Sequence, residues 1–257
     1  MILTADYHTH TKYSDGKYTV LENVARAKEL GLQEIGITEH GFSHLFFGIH
    51  RKEMKKFIRE IREAERLTGV RALVGIESNI RGKSGLCDLK ESDYENFDIY
   101  LAGIHVCIHY DKMRDMKLGW GSWLRASLNK KPSEKLIRYT TETYINAVKN
   151  NPIDVLTHIN YLCFANAVEV AKCCRDYGTY LEISSKKTHL TDEELADVAD
   201  TGVRFVINSD AHWPERIGEC ALAEEQILRV GVPLDRIDNI DGRLPHFRFA
   251  EYKKRRL

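Results

Sequence analysis

Seven short apolar runs, each a strand's length, are spaced along this chain, and six of them end in a residue type that binds metals. Residues 2–7 lead into His8 and His10, 34–38 into His40, 72–76 into Glu77 and 99–104 into His105. Residues 155–157 lead into His158, and 204–208 into Asp210 and His212. Only 180–183, which run into Ser184, carry no ligand-type residue at the tip. Parallel strands buried on both faces read as near-continuous apolar runs of this kind. In folds built from them the chemistry gathers at the carboxyl ends of the strands. The pattern implies an α/β barrel of seven strands with its functional groups at one mouth.

Between the runs the apolar period becomes that of helices. Val20, Leu21, Val24, Ala27 and Leu30 share a face over 19–30, with Gly31 as a stop. Met54, Phe57, Ile58, Ile61, Ala64 and Leu67 do so over 51–67, with Gly69 beyond. Pro132 suits the first turn of a helix running to Asn150. Residues 165–177 end at Gly178, Thr191 caps 192–201, and 221–230 end before Gly231 and Pro233. Strand and helix alternate throughout, which predicts right-handed parallel crossovers. Two segments break the rhythm, 41–50 and 106–131, and connections this long at the site end of a barrel form the substrate's walls. No linker or charge block interrupts the chain, so residues 1–257 read as one domain.

Composition excludes several classes. The chain is 43% hydrophobic and 30% charged, as soluble globular proteins are. Lys plus Arg and Asp plus Glu both number 38, so no global field draws it to nucleic acid or to an anionic membrane. The basic tail Lys253-Lys254-Arg255-Arg256 reads as a solvated end. There is no run of about 18 apolar residues and no basic leader, so a cytoplasmic protein with no membrane partner is expected. Cys87, Cys107, Cys163, Cys173, Cys174 and Cys220 show no CxxC spacing and read as reduced, mostly buried thiols. Cys107, just past His105, reads as a small apolar filler.

His8 and His10 lie two apart on a strand, so both rings can reach one ion. His40, Glu77, His105, His158, Asp210 and His212 occupy strand ends that a closed barrel brings together, and Asp15 lies on the loop after the first strand. Imidazole and carboxylate ligands without thiolates suit a catalytic Zn, Mn or Fe site and not a cysteine-zinc knot. Nine such positions are more than one ion can use, which points to two or three.

The motifs Asp6-Tyr7-His8-Thr9-His10-Thr11, Ser14-Asp15-Gly16, Thr38-Glu39-His40, Gly75-Ile76-Glu77, Gly103-Ile104-His105, Thr157-His158 and Ser209-Asp210-Ala211-His212 stand in order over residues 6–212. In this the chain resembles the PHP (polymerase and histidinol phosphatase) superfamily. The resemblance implies a distorted (β/α)7 barrel with three divalent metal ions at the carboxyl ends of its strands. It implies that His8, His10, Glu77 and Asp210 surround one ion, that Glu77 bridges to a second held by His105 and His158, and that Asp15, His40 and His212 hold the third. It puts Glu77, Asp210 and His212 at the reaction itself, hydrolysis of a phosphoester by a metal-bound hydroxide. Asp15 resembles the form in polymerase-associated members, many of which are 3′–5′ exonucleases, where some stand-alone phosphatases have His.

The expected partner is a small phosphorylated substrate, histidinol phosphate among them, because no basic stripe is present to track nucleic acid. An exonuclease or nucleotide phosphodiesterase and a non-catalytic metal-binding domain are the competing classes. His109 reads as a loop residue, His44 and His50 as wall or surface positions, and His189 and His246 as surface. Asp6 suits either a metal-bound His or the strand's backbone. Lys186, Lys187, Arg81 and Arg216 follow strand tips and could meet a phosphate, though a solvated role is the simpler reading of each. Trp120 and Trp123 could stack on a substrate ring or pin their own loop. The turn Ser185-Lys186-Lys187 after the sixth run is the place where substrate groups would be read.

Overall fold

A computed structural model describes residues 1–128 and 130–255, without the side chain of Ala126. Asn129 of the second long connection and Arg256 of the basic tail lie outside the described residues. The strands are β1 (Ala5–Thr9), β2 (Glu34–His40), β3 (Arg71–Asn79), β4 (Ile99–Gly103), β5 (Val155–Leu156), β6 (Tyr180–Ser184) and β7 (Phe205–Asn208). They pair in parallel in sequence order. A parallel bridge between Thr9 and Ala211 brings β7 back to β1, giving a distorted (β/α)7 barrel. The helices are α1 (Val20–Glu29), α2 (Met54–Thr68), α3 (Ser122–Ser127), α4 (Glu134–Asn150), α5 (Ala167–Tyr177), α6 (Asp192–Asp200), α7 (Ala221–Val230) and α8 (Arg248–Lys254).

The helix ends follow their residues. Thr19 caps α1 in a capping box with Glu22, and Thr191 does the same for α6 with Glu194. Gly69 ends α2 at φ 77°, a left-handed conformation that costs glycine little. Three expectations need correction. Ser133, not Pro132, begins α4: its hydroxyl accepts the Leu136 N–H, and Pro132 stands one residue before the cap. Alternation fails between β3 and β4, where only a 3-10 turn, Glu91–Asn96, intervenes. The run 106–131 is partly helical, since it holds α3 and a π-helical turn, Lys117–Gly121.

Along β3, Leu73, Gly75, Glu77 and Asn79 share the inward face, so one strand passes from apolar filling to polar site. Ala5, Tyr7, Leu73, Ile99, Leu101, Val155, Tyr180 and Val206 fill the lower interior. Phe247 closes that end, its ring edge-on to Tyr7 at 4.9 Å. The larger core lies between barrel and helices.

The β1–β7 seam is closed largely by side chains. The Tyr7 N–H donates to Asn208 Oδ1 at 2.9 Å, and Asn239 Nδ2 donates to the carbonyls of Ala5 and Ile207 at 2.8 and 2.6 Å. Asp6 accepts the N–H groups of Ser209 and Gly218 at 3.2 and 3.0 Å, which makes it a backbone cap and not a partner of a His ring. These contacts satisfy backbone groups that a regular ladder would have paired.

Candidate metal centre

All nine positions singled out by the sequence converge at the carboxyl mouth of the barrel. Glu77, fully buried on β3, is the hub. Its Oε1 lies 3.1 Å from His105 Nε2 and 2.7 Å from His158 Nε2, and it accepts the Thr157 hydroxyl at 2.9 Å. Its Oε2 lies 3.3 Å from His8 Nε2, 3.8 Å from His10 Nε2 and 3.0 Å from His40 Nδ1. Asp210 Oδ1 is 3.5 Å from His10 Nε2. Asp15 spans His40 Nε2 at 3.6 Å and His212 Nε2 at 3.2 Å.

Local structure explains how these groups meet. Asp6 pairs with Ile35 but Thr9 pairs with Ile37, so β1 carries one extra residue, a bulge that turns His8 inward beside Tyr7. Thr38 secures the irregularity: its Oγ1 donates to the Tyr7 carbonyl at 3.1 Å and accepts the Thr9 N–H at 3.2 Å. Gly103 at the tip of β4 leaves room for the hub. A Cβ there would sit 2.4 Å from Thr157 Oγ1 and 2.9 Å from His158 Cε1. His158 and Asp210 adopt φ of 26° and 48°, strained for residues with a Cβ and costing about 1–3 kcal/mol each.

Four groups of side chains offer ligand atoms all within 4.8 Å of one another: His8 with His10 and Asp210, His8 with Glu77 and His158, His40 with Glu77 and His105, and His10 with His40 and His212. The hydrogen bonds fix which ring nitrogens are free. His8 Nδ1 faces Glu182 Oε1 at 2.7 Å, His105 Nδ1 faces Asn79 Oδ1 at 2.8 Å, and His212 Nδ1 faces the Asp210 carbonyl at 3.0 Å. In a neutral ring each Nδ1 holds the proton, so each Nε2 turns a lone pair toward a carboxylate. Lone pair against lone pair is repulsive unless a cation lies between. His8 Nε2, His10 Nε2, Asp15 Oδ1, His40 Nδ1 and Glu77 Oε2 are moreover buried without hydrogen bonds, at a cost of about 1–3 kcal/mol each. The donor set fits divalent metal ions.

Burial alone would raise the Glu77 carboxyl, but His105, His8 and His158 hold it well below the usual range. Burial opposes charging His40, yet Asp15 and Glu77 raise it to about 10. Burial and the neighbouring His40 lower His10 to about 3.

The mouth opens into a cavity of about 420 Å³ whose outer lining includes His44, Phe47, Tyr161, Lys186, Lys187 and His189. Lys186 Nζ contacts Asp210 Oδ2 at 2.9 Å. The two long connections pair above the site, with the Leu45 N–H on the Cys107 carbonyl and the His109 N–H on the Ser43 carbonyl. Among the described residues of the second connection, only Val106 joins the lining. Trp120 and Trp123 pack edge-on against each other at 6.1 Å, away from that lining. Arg81 and Arg216 are turned to the carbonyls of His109 and Ser185. His50, His109 and His246 are exposed.

A model of the PHP domain matches residues 6–188. The chain belongs to the PHP family. A probable phosphatase of Thermoanaerobacter sp. (strain X514) is 29% identical to it over all of this chain and 98% of that protein. A probable phosphatase of Vibrio campbellii is 28% identical over 92% of this chain and 88% of its own. The histidinol phosphate phosphatase of Lactococcus lactis, solved with zinc, L-histidinol and phosphate, shares the fold at TM-score 0.56 and 16% identity, covering 91% of this chain and 95% of its own.

Sequence reasoning missed three residues of this PHP site. The sixth strand is not silent, because Glu182 sits within it, buried and bonded to His8, to the His158 N–H at 2.9 Å and to Asn208 Nδ2 at 3.0 Å. The available signal was a lone carboxylate inside an apolar strand, in phase with the inward Tyr180. His189, expected at the surface, is half-buried, its ring 5.2 Å from Tyr161 and 6.1 Å from His158. Asp88 lies outside any strand tip. It accepts Asn79 Nδ2 at 2.6 Å and the Ser43 N–H at 2.8 Å, tying the Asn79–His105 pair to the first long connection.

Proposed function

We propose that this chain hydrolyses small phosphomonoesters at a centre of three divalent ions, Zn, Mn or Fe. In this reading His8, His10, Glu77 and Asp210 hold one, Glu77, His105 and His158 a second, and Asp15, His40 and His212 the third. That the chain is a phosphatase of the PHP family rests on its family membership and its full-length similarity to probable phosphatases. The finer reading rests on one observation: Nε2 of His8 and of His105 lie 3.3 and 3.1 Å from the Glu77 carboxylate while their Nδ1 atoms face Glu182 and Asn79.

Bound there, divalent ions supply Lewis acidity toward phosphoryl oxygens and lower the pKa of a coordinated water toward about 7. The protein's own part is positional. Glu182 and Asn79 orient His8 and His105, and Thr157 orients Glu77. Lys186, whose side chain is 42% exposed, is free to turn from Asp210 to a substrate phosphate. Three ligand carboxylates against three divalent ions leave an excess of positive charge, which suits a dianionic phosphomonoester.

The test is metal content by mass spectrometry alongside phosphate release from a panel of monoesters, for the native chain and a His8→Ala/Asp210→Ala variant. Loss of both metal and turnover in the variant is expected; unchanged values for both would overturn the site. Release of nucleotides from end-labelled single strands in preference to monoesters would favour an exonuclease instead.

A further inference from the structure

The walls of the cavity carry a charge pattern that bears on what the phosphate is attached to. Among the described residues that line it, the only carboxylates are Asp15 and Asp210, and both face the His cluster. Beyond them the charged groups are the ammoniums of Lys186 and Lys187. The rest of the outer wall is made of the imidazoles of His44 and His189 and of aromatic or apolar side chains. Tyr161, 46% exposed, lies 5.4 Å from the ring of His158, and Phe47, 47% exposed, lies 5.3 Å from the ring of His44. Ring faces left open inside a cavity offer stacking surface to a flat group.

We propose that this cavity selects phosphomonoesters of small aromatic or otherwise flat groups that carry no ammonium, and discriminates against amine-bearing esters such as histidinol phosphate. The inference rests on the phosphomonoesterase reading above and adds the class of the organic group. A substrate phosphate is drawn to the cluster and to Lys186. An ammonium a few bonds away then meets no carboxylate other than Asp15 and Asp210, which the reading above commits to the metal ions, and stands near a like charge on Lys187. Stripping an ammonium of water without a partner is unfavourable, and like charges brought together add to the cost. The corresponding flat, uncharged group meets Tyr161, Phe47 and Leu162 with no such penalty.

The experiment compares matched esters on the metal-loaded chain: histidinol phosphate against 3-(imidazol-4-yl)propyl phosphate, and phosphoethanolamine against ethyl phosphate, with phenyl phosphate as the flat probe. Calorimetric binding of the corresponding phosphonates ranks the same groups without turnover. The amine-free member of each pair is expected to be favoured by about tenfold or more in kcat/KM and in affinity. Lys187→Glu should narrow that gap, and Tyr161→Ala should reduce the preference for phenyl over ethyl. Equal or better handling of the amine-bearing esters would overturn the proposal while leaving the phosphatase reading intact. Phosphonates that bind in the expected order with no ester hydrolysed would do the reverse.

Discussion

Glu182 is the sharpest test of how the barrel prepares its ligands. Its carboxylate receives three donors at once: His8 Nδ1 at 2.7 Å, Asn208 Nδ2 at 3.0 Å and the His158 N–H at 2.9 Å. Glu182→Gln keeps the shape but removes the charge and replaces one acceptor with an amide NH2, which must face one of those donors. A hydrogen bond to a buried charged group contributes about 1.5–3 kcal/mol. If that contribution serves to hold His8 Nε2 toward the metal, zinc or manganese affinity should fall about 10- to 100-fold, as found when outer partners of metal-bound His are removed. Competition with a chromophoric chelator measures it, with circular dichroism confirming the fold. Asp238→Asn provides the control, because Asp238 accepts the Tyr180 hydroxyl at 2.8 Å and Arg204 Nε at 2.6 Å at the opposite end of β6. It should lower the unfolding temperature without changing metal affinity. An affinity in Glu182→Gln within about twofold of native, or an equal loss in both variants, would refute a specific role for Glu182.

Other expectations follow from the same contacts. Asp88→Asn should cost about 1–3 kcal/mol of stability and lower phosphate release, since it loosens Asn79 behind His105 and Ser43 in the first connection; denaturant unfolding and initial rates check it. Thr38→Val conserves volume but leaves the bulge of β1 without its two hydrogen bonds, so unfolding free energy should drop by about 1–3 kcal/mol. Burial pushes the Asp154 carboxyl up to about 7, although the N–H groups of Phe249 and Tyr100 pull the other way. The folded chain therefore binds that proton more tightly than the unfolded one, and the contribution is full near pH 4 and lost as pH rises toward 7. Asp154→Asn should flatten that part of the stability profile by about 1 kcal/mol per pH unit, seen by denaturant unfolding at pH 5, 6 and 7.

Much of the site was legible because ligand positions at strand tips are local in sequence. A strand that is buried on both faces has to be apolar until it reaches the mouth, so the first polar residue after each run stands out. His40, His105 and His158 were read this way, and the barrel brings each of them to Glu77. Glu182 escaped the same logic because it lies inside its strand, and only the inward phase set by Tyr180 and the nearby Asn208 shows that it faces the site. Asp88 was illegible for a different reason. Its five bonds run to Ser43, Ser78 and Asn79, and the contacts with Ser43 span 45 positions, which no local pattern encodes. The same holds for His189, whose ring meets that of Tyr161, a residue no local pattern links to it.

The bulge in β1 resolves a conflict that strict alternation would have left in place. Tyr7 belongs to the apolar floor, with its ring against Phe247 and its hydroxyl on Glu34 Oε2 at 2.8 Å. His8, the next residue, must reach Glu77 and Glu182 inside the same barrel. A regular strand sends successive side chains to opposite faces, so it could place one of them but not both. One extra residue between the pairs Asp6–Ile35 and Thr9–Ile37 lets both face inward. That is where the interior changes from a dry, plugged floor to a cluster of imidazoles and carboxylates. The transition takes a single residue step on β1, whereas on β3 it is spread over alternate positions from Leu73 to Glu77. The floor below the cluster is sealed by aromatic rings, so the cavity at the mouth is the approach the described residues leave to the Glu77 hub. In the proposed reading specificity is set at the rim, by Phe47, Tyr161 and the Lys186–Lys187 turn, while the chemistry is fixed below it by the strands.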